Sequence, residues 1–377
     1  MRYRSIYCFA RRYTSTRSQV LRPSFNEIFP QKRMVNRILF ELDSRLSFGK
    51  LYPLFELAYN NVDSEDIPVT SGITASDVMV MKKVLEKVRS RTKSVNRHLL
   101  KLENVLLDKA AEMGNNDAVS LLAFNVLKNP SKNTSDDVLH AKLLIKDLYK
   151  RKHHLTMKLT GDLALKAGDN SQAETYYRRF LELESDTFLA GEVYGQLGQF
   201  SFHKTDLIPA ERYFLKSIQY SPLEYSVHSY FYLAQIYMNS DPLKARTLME
   251  NCATQGYKES FKALGFLEMN YFENLYKAQE WFKLGMELFE LECFIGYFDC
   301  CALLGEWALA NKCFKSLEKI AENNSHYKSL VKQFVEARHD KVKRALAYSP
   351  GPFPKREVVQ NASKKAPQIS KENKWNL

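Results

Sequence analysis

The sequence predicts an all-α fold, a solenoid of helical hairpins, and three observations predict it. Gly (14) and Pro (12) are scarce in 377 residues, against averages of about 7% and 5%, which disfavours sandwiches, barrels and propellers with their many tight turns. Apolar residues recur at helical spacing, and no period-2 alternation is long enough for a strand. A register of small and aromatic residues repeats along the middle of the chain, as stacked helix–turn–helix units require. With 45% hydrophobic and 26% charged residues, the composition belongs to a packed protein rather than a disordered one.

Residues 1–26 hold Arg2, Arg4, Arg11, Arg12, Arg17 and Arg22 and no acid; the first is Glu27. This hydroxylated, Arg-rich strip, with Tyr3, Tyr7, Phe9 and Tyr13 interleaved, has the composition of a mitochondrial presequence, or transit peptide. Arg11-Arg12-Tyr13-Thr14 has the form of a matrix-processing site, so cleavage is expected after Tyr13. Arg11 and Arg12 interrupt the apolar stretch that a secretory signal needs. A basic arm that is never cleaved is the plainer alternative.

Residues 27–150 form an N-terminal helical region. Val35, Ile38, Leu39, Leu42 and Leu46 predict a helix over 31–47. A loop follows at 60–76. Thr74-x-x-Asp77 is a capping pattern that opens a helix through about 91. Helices over 94–113 and 116–127 flank Gly114. Asn129, Pro130 and Asn133 make 128–135 a polar break, and Asp136 or its neighbours cap a helix to about 150.

Residues 151–348 carry the repeats. Tyr194-x-x-Leu197-Gly198 is followed by Ala210, Phe214 and Pro222; Gly161 by Ala173 and Tyr177 at the same distances; Tyr230-x-x-Leu233-Ala234 by Tyr237 and Ala245; Leu264-Gly265 by Ala278, Trp281 and Phe282; and a weaker copy has Ala310 and Phe314. Gly161, Gly198, Ala234 and Gly265 are spaced by 37, 36 and 31 residues. A second register, Ala110-Ala111-x-x-Gly114 with Ala118 and Leu122, recurs as Cys252-Ala253-x-x-Gly256 with Ser260 and Leu264, 142 residues on. Small residues let two helices approach closely, and the Gly ends the first helix in the left-handed conformation. These residues resemble the tetratricopeptide repeat, shading into its Sel1-like relative over 245–285, with a further Sel1-like fragment at 104–127. The resemblance implies that a Gly on each first helix meets an Ala on the second, and that an aromatic one turn later fills the gap beside it. Residues 325–347 read as a basic amphipathic helix closing the array. The tail 349–377, with four prolines and six Lys or Arg against two Glu, is too polar to fold.

The formal charge of +12 therefore lies mostly in the two ends, and the repeat-bearing part is near neutral. A nucleic-acid binder wants a basic face on its folded surface, and nothing demands one here. No apolar stretch is long enough to span a bilayer; a basic tail can attract an anionic leaflet instead.

Of six cysteines, Cys8 lies in the presequence, and Cys252, Cys293, Cys300, Cys301 and Cys313 fall on helical segments. No C-x(2–4)-C pair suggests zinc, so they read as buried small apolar residues. His153-His154 is the one eye-catching pair. Neighbours on a helix point roughly 100° apart, which makes a poor two-ligand site, and the pair reads as helix surface. There is no phosphate-cradling Gly loop, no Gly-x-Ser-x-Gly elbow and no His-Glu-x-x-His. Most of the aromatics fall at repeat-packing positions, as Tyr177, Phe214 and Phe282 do, which favours a core reading over base stacking. No catalytic residue, metal site or cofactor is expected, and the chain is read as no enzyme.

A stack of hairpins offers an extended surface to a peptide or protein. Counted from Gly161, Gly198, Ala234 and Gly265, the first-helix positions at −3, +1 and +5 should line it. They include Lys158, Asp162, Lys166, Gln199, His203, Gln235, Asn239, Lys262 and Asn270, a mixed polar groove of no dominant sign. The alternative is an ordinary solvated helix face.

The segment Phe29-Pro30-Gln31-Lys32-Arg33-Met34-Val35-Asn36-Arg37-Ile38-Leu39-Phe40, the joint Gly114-Asn115-Asn116-Asp117-Ala118 and the run Leu264-Gly265-Phe266-Leu267-Glu268-Met269-Asn270-Tyr271-Phe272 together resemble one fungal family. It is the mitochondrial tetratricopeptide/Sel1-like assembly protein for cytochrome c oxidase, of the mitochondrial splicing suppressor type. The resemblance runs from about residue 25 to 345; the tail after 348 departs from it. It implies a matrix protein held peripherally on the inner membrane, working with the export machinery there to carry the C-terminal domain of oxidase subunit 2 across. It offers no catalytic residues to carry over. The competing reading is a helical-repeat protein of pentatricopeptide kind acting on an organellar transcript. The irregular spacing and near-neutral core count against it, and nucleic acid is not an expected partner.

Overall fold

The structure, a computed structural model, describes residues 22–62, 72–323 and 325–348. The expected cleavage after Tyr13 and the tail 349–377 lie outside the described residues, as does most of the 60–76 loop. The chain divides into two compact units, residues 1–229 and 230–377. Among the described residues every regular element is helical, and the fold is all-α, built from tetratricopeptide- and Sel1-like hairpins.

The first unit begins with α1 (Phe25–Ile28), α2 (Lys32–Glu41), α3 (Phe48–Asn60), α4 (Ala75–Thr92) and α5 (Arg97–Glu112). Phe25, Ile38, Phe55, Leu85 and Leu102 share its largest apolar cluster. Arg22 donates to the Tyr59 carbonyl at 3.0 Å and lies over the Tyr59 ring, so residues 22–26 belong to the packed part of the chain. The helix expected over 31–47 is corrected: it ends at Glu41. Asp43 takes a left-handed φ of 48°, and the Ser44 amide turns back to the Leu39 carbonyl at 3.0 Å. The expected cap is present in full. The Thr74 hydroxyl accepts from the Asp77 amide and Asp77 accepts from the Thr74 amide, which satisfies two donors that the first turn would otherwise orphan.

Next come α6 (Asn116–Lys128), a 3-10 turn at Pro130–Lys132, α7 (Ser135–Lys150), α8 (His154–Lys166), α9 (Asn170–Leu183), α10 (Phe188–His203) and α11 (Leu207–Tyr220). Thr134, not Asp136, caps α7, in a second reciprocal box with Asp137. The division between units falls within α12 (Leu223–Tyr237). Pairs α8/α9 and α10/α11 are the expected hairpins. Ala173 and Ala210 are fully buried, as are Tyr177 and Phe214. Each ring lies on the Gly of the preceding helix: a Cβ at Gly161 would stand 2.6 Å from Tyr177, and one at Gly198 2.6 Å from Phe214.

The second unit continues with α13 (Pro242–Thr254), α14 (Lys258–Asn270), α15 (Leu275–Glu287), α16 (Leu291–Leu304), α17 (Trp307–Asn323), α18 (Ser325–Ala337) and α19 (His339–Ala347). Gly265 meets Phe282 in the same way, at 2.4 Å from a built Cβ. Where Ala234 replaces the Gly, it shares a buried cluster with Met249 instead of a ring. The joints at Gly114 and Gly256 have φ of 83° and 73°, the left-handed helix ends that the two registers predicted. The closing helix over 325–347 is corrected to two helices that break at Arg338, and Phe334 and Val342 bury their apolar face against the cluster of Phe298 and Phe314. No described helix is long and apolar enough to cross a membrane.

Candidate partner-binding face

The nine residues expected to line a groove fall on both units, and each set is described by itself. In the first unit, Lys158, Asp162 and Lys166 lie on α8, and Gln199 and His203 on α10. Lys158 is committed inside the protein. Its Nζ lies 3.1 Å from Asp162 and 2.9 Å from Glu192 of α10. Desolvation works to lower its pKa, and the two carboxylates outweigh that and hold it above the ordinary lysine value, so the ammonium stays charged. Asp162 also accepts from the Tyr177 hydroxyl at 2.9 Å. Burial pushes that phenol far up, and Asp162 adds to it. The network pins α8, α9 and α10 to one another at the base of this face. Lys166 and His203, at the C-terminal ends of α8 and α10, are exposed, and Gln199 is half-buried.

In the second unit, Gln235 is half-buried on α12, Asn239 is exposed beyond the end of that helix, and Asn270 is exposed as the last residue of α14. Lys262 repeats the Lys158 arrangement: its Nζ lies 2.6 Å from Glu292 of α16. In both units, then, a Lys three residues before the close-packed Gly reaches a Glu on the next first helix. Glu192 and Glu292 are absent from the groove expected from sequence. The signal that could have found them is an opposite charge about one repeat downstream of each Lys. Of these nine, Lys166 and His203 in the first unit and Asn239 and Asn270 in the second are exposed.

The five described cysteines are all buried. Burial pushes the thiols of Cys252, Cys293, Cys300 and Cys313 up to about 12 and that of Cys301 to about 11. A thiol held there carries almost no thiolate at neutral pH, so none is a ready nucleophile or ligand.

His153 and His154 depart from the expected divergence. His153 is not helical: it is the residue before α8, with φ −71° and ψ 122°. The change from extended to helical backbone between the two brings both rings to one side, 4.8 Å apart. His153 Nε2 lies 3.2 Å and His154 Nε2 3.7 Å from the same Asp117 oxygen.

The profile described as the MSS2 N-terminal domain matches residues 21–115, the span from just before α1 to just after α5. The chain is 45% identical over 328 residues to the mitochondrial protein MSS2 of Saccharomyces cerevisiae, covering 85% of this chain and 93% of that protein. Among solved structures, PilW, a widely conserved type IV pilus biogenesis factor, aligns at a TM-score of 0.42 and 16% identity, over 57% of this chain and 98% of its own. PilF of Pseudomonas aeruginosa aligns at 0.44 and 12% identity, over 58% of this chain and 97% of its own.

Proposed function

Because this chain belongs to the MSS2 family, we propose that it is a mitochondrial helical-repeat assembly factor, an adaptor or chaperone rather than an enzyme. It works peripherally on the matrix side of the inner membrane. It supports cytochrome c oxidase assembly by holding the C-terminal domain of subunit 2 for the export machinery. The observation that carries this reading is the 45% identity running through 85% of the chain, together with the sequence segments quoted above. The hairpins support it physically. They leave polar residues exposed, Lys166 in the first unit and Asn239 and Asn270 in the second, and stacked hairpins of this kind present surfaces to extended chains.

The test is capture from a matrix extract, with and without nuclease. Co-purification of subunit 2 and export components, unchanged by nuclease, is expected. A stable RNA whose digestion dissolves the complex would replace this reading with transcript binding. Carbonate extraction tests the attachment: release from inner membranes is expected, and retention contradicts a peripheral protein.

A further inference from the structure

We propose that Asp117, His153, His154 and Glu184 form a binding site for a divalent transition-metal cation of the zinc class. The four come from three places in the first unit: Asp117 from the first turn of α6, His153 and His154 from the entry into α8, and Glu184 from the residue that ends α9.

The spacing suits a small tetrahedral centre. Ligand atoms of Asp117, His153 and His154 lie within 4.8 Å of one another. The nearest pairs are 3.2 Å and 3.7 Å from Asp117 to the two imidazoles, and His154 Nε2 is 3.4 Å from Glu184 Oε2. Zinc bonds to N and O of about 2.0–2.2 Å place tetrahedral ligands about 3.4 Å apart, close to these three contacts.

The groups behind the ligands are also in place. His153 Nδ1 lies 3.2 Å from Thr156 Oγ1 and 3.3 Å from Ser120 Oγ, and these two hydroxyls are 3.0 Å apart. Both residues are fully buried. With a cation bound, either oxygen can accept from Nδ1–H, which frees the Nε2 lone pair for the metal; without one, Nε2–H can donate to Asp117 instead. Outer partners of this kind orient metal-binding imidazoles. The Thr187 hydroxyl donates to Glu184 Oε1, leaving Oε2 for His154 and the cation.

Charge and ligand type narrow the cation. The amino ends of α6 and α8 both point partial positive charge at the site, and two carboxylates offset that and balance a dication. Two imidazoles select zinc, cobalt, nickel or copper over magnesium or calcium, which want all-oxygen shells. A bound cation would tie α6, α8 and α9 together, so binding should stabilise the unit.

The experiment is calorimetric titration of chelator-stripped full-length protein with Zn2+ at pH 7.5, followed by Co2+ absorption. One equivalent of Zn2+ is expected, with a raised melting temperature and no equivalent response to Mg2+. Replacing one ligand, as His154→Ala, should weaken binding by at least about tenfold, and His339→Ala, in the other unit, should not. Glu184→Gln tests the same site should His154→Ala fail to fold. Bound Co2+ should show tetrahedral nitrogen–oxygen bands without thiolate charge transfer. No stoichiometric Zn2+ binding overturns the proposal and leaves these groups as a metal-free hydrogen-bonded cluster. Thiolate bands, or binding that survives both His154→Ala and Glu184→Gln, overturn it as well.

Discussion

Gly198 of α10 lies against the ring of Phe214 of α11, so close that a Cβ at 198 would stand 2.6 Å from Cε1 and 2.7 Å from Cδ1. Phe214 is fully buried and has no room to retreat. Gly198→Ala should therefore destabilise by about 1–3 kcal/mol, the usual cost of overpacking. Gly49, on α3, has nothing within 4 Å of a built Cβ and an ordinary φ. There Ala should stabilise by about 0.4–1 kcal/mol through the unfolded chain. Urea midpoints of the two variants should move in opposite directions; a neutral Gly198→Ala would refute the packing account.

The same contact explains what could be read in advance. A helix crossing this tight admits only Gly beside a ring, so Gly161, Gly198 and Gly265 mark their hairpins in the sequence, and Ala234 marks the one where Met249 stands in for the ring. The turn at Asp43 was hidden because Leu42 and Leu46 still pack on the core from outside a helix, which preserves the apolar spacing through the break. The break at Arg338 has neither Gly nor Pro to announce it, and Val342 and Ala345 keep their burial beyond it. His153 and His154 defeated the rule for helical neighbours because one of them precedes the helix. The bridges to Glu192 and Glu292 depend on how successive hairpins stack, which residue spacing within one helix does not express.

Asp108 on α5 gives a pH prediction. Burial, with Glu112 adding to it, raises its pKa to about 6 from an ordinary 3.8. Between those values the unfolded chain has released the proton and the folded chain keeps it, so stability falls as pH rises through this window. Above pH 6 the folded protein bears a poorly solvated carboxylate. Asp108→Asn should then stabilise by about 1–3 kcal/mol at pH 7.5, since one pKa unit is about 1.4 kcal/mol. The gain should shrink to near zero below pH 4. Denaturant titrations at the two pH values check it, and a pH-independent difference would contradict it.

Arg338 stands at the break between α18 and α19 and holds Asp299 of α16 through contacts of 2.8, 3.1 and 2.7 Å. Its guanidinium also lies 4.9 Å from the Phe334 ring centre. Lysine keeps the charge but loses the planar fork and the stacking. Arg338→Lys should cost about 1–3 kcal/mol, the range for hydrogen bonds to charged groups. Amide exchange should speed first in α18 and α19, which close the second unit. Equal protection in those helices before and after the change would show that the fork contributes nothing there.

The partner face separates into residues that hold the fold and residues that can meet another protein. Lys158 is bonded to Asp162 and Glu192 with its side chain 15% exposed. Lys158→Ala leaves two half-buried carboxylates facing each other and should lower stability by about 1–3 kcal/mol, whatever it does to binding. Lys166 is exposed in the last turn of α8, where surface changes usually shift stability by less than about 0.5 kcal/mol. Lys166→Gln should leave the melting curve nearly in place and still weaken capture of the partner from a matrix extract. Loss of capture with Lys158→Ala alone, in step with loss of folded protein, would assign this surface to stability and move the partner contact elsewhere on the chain.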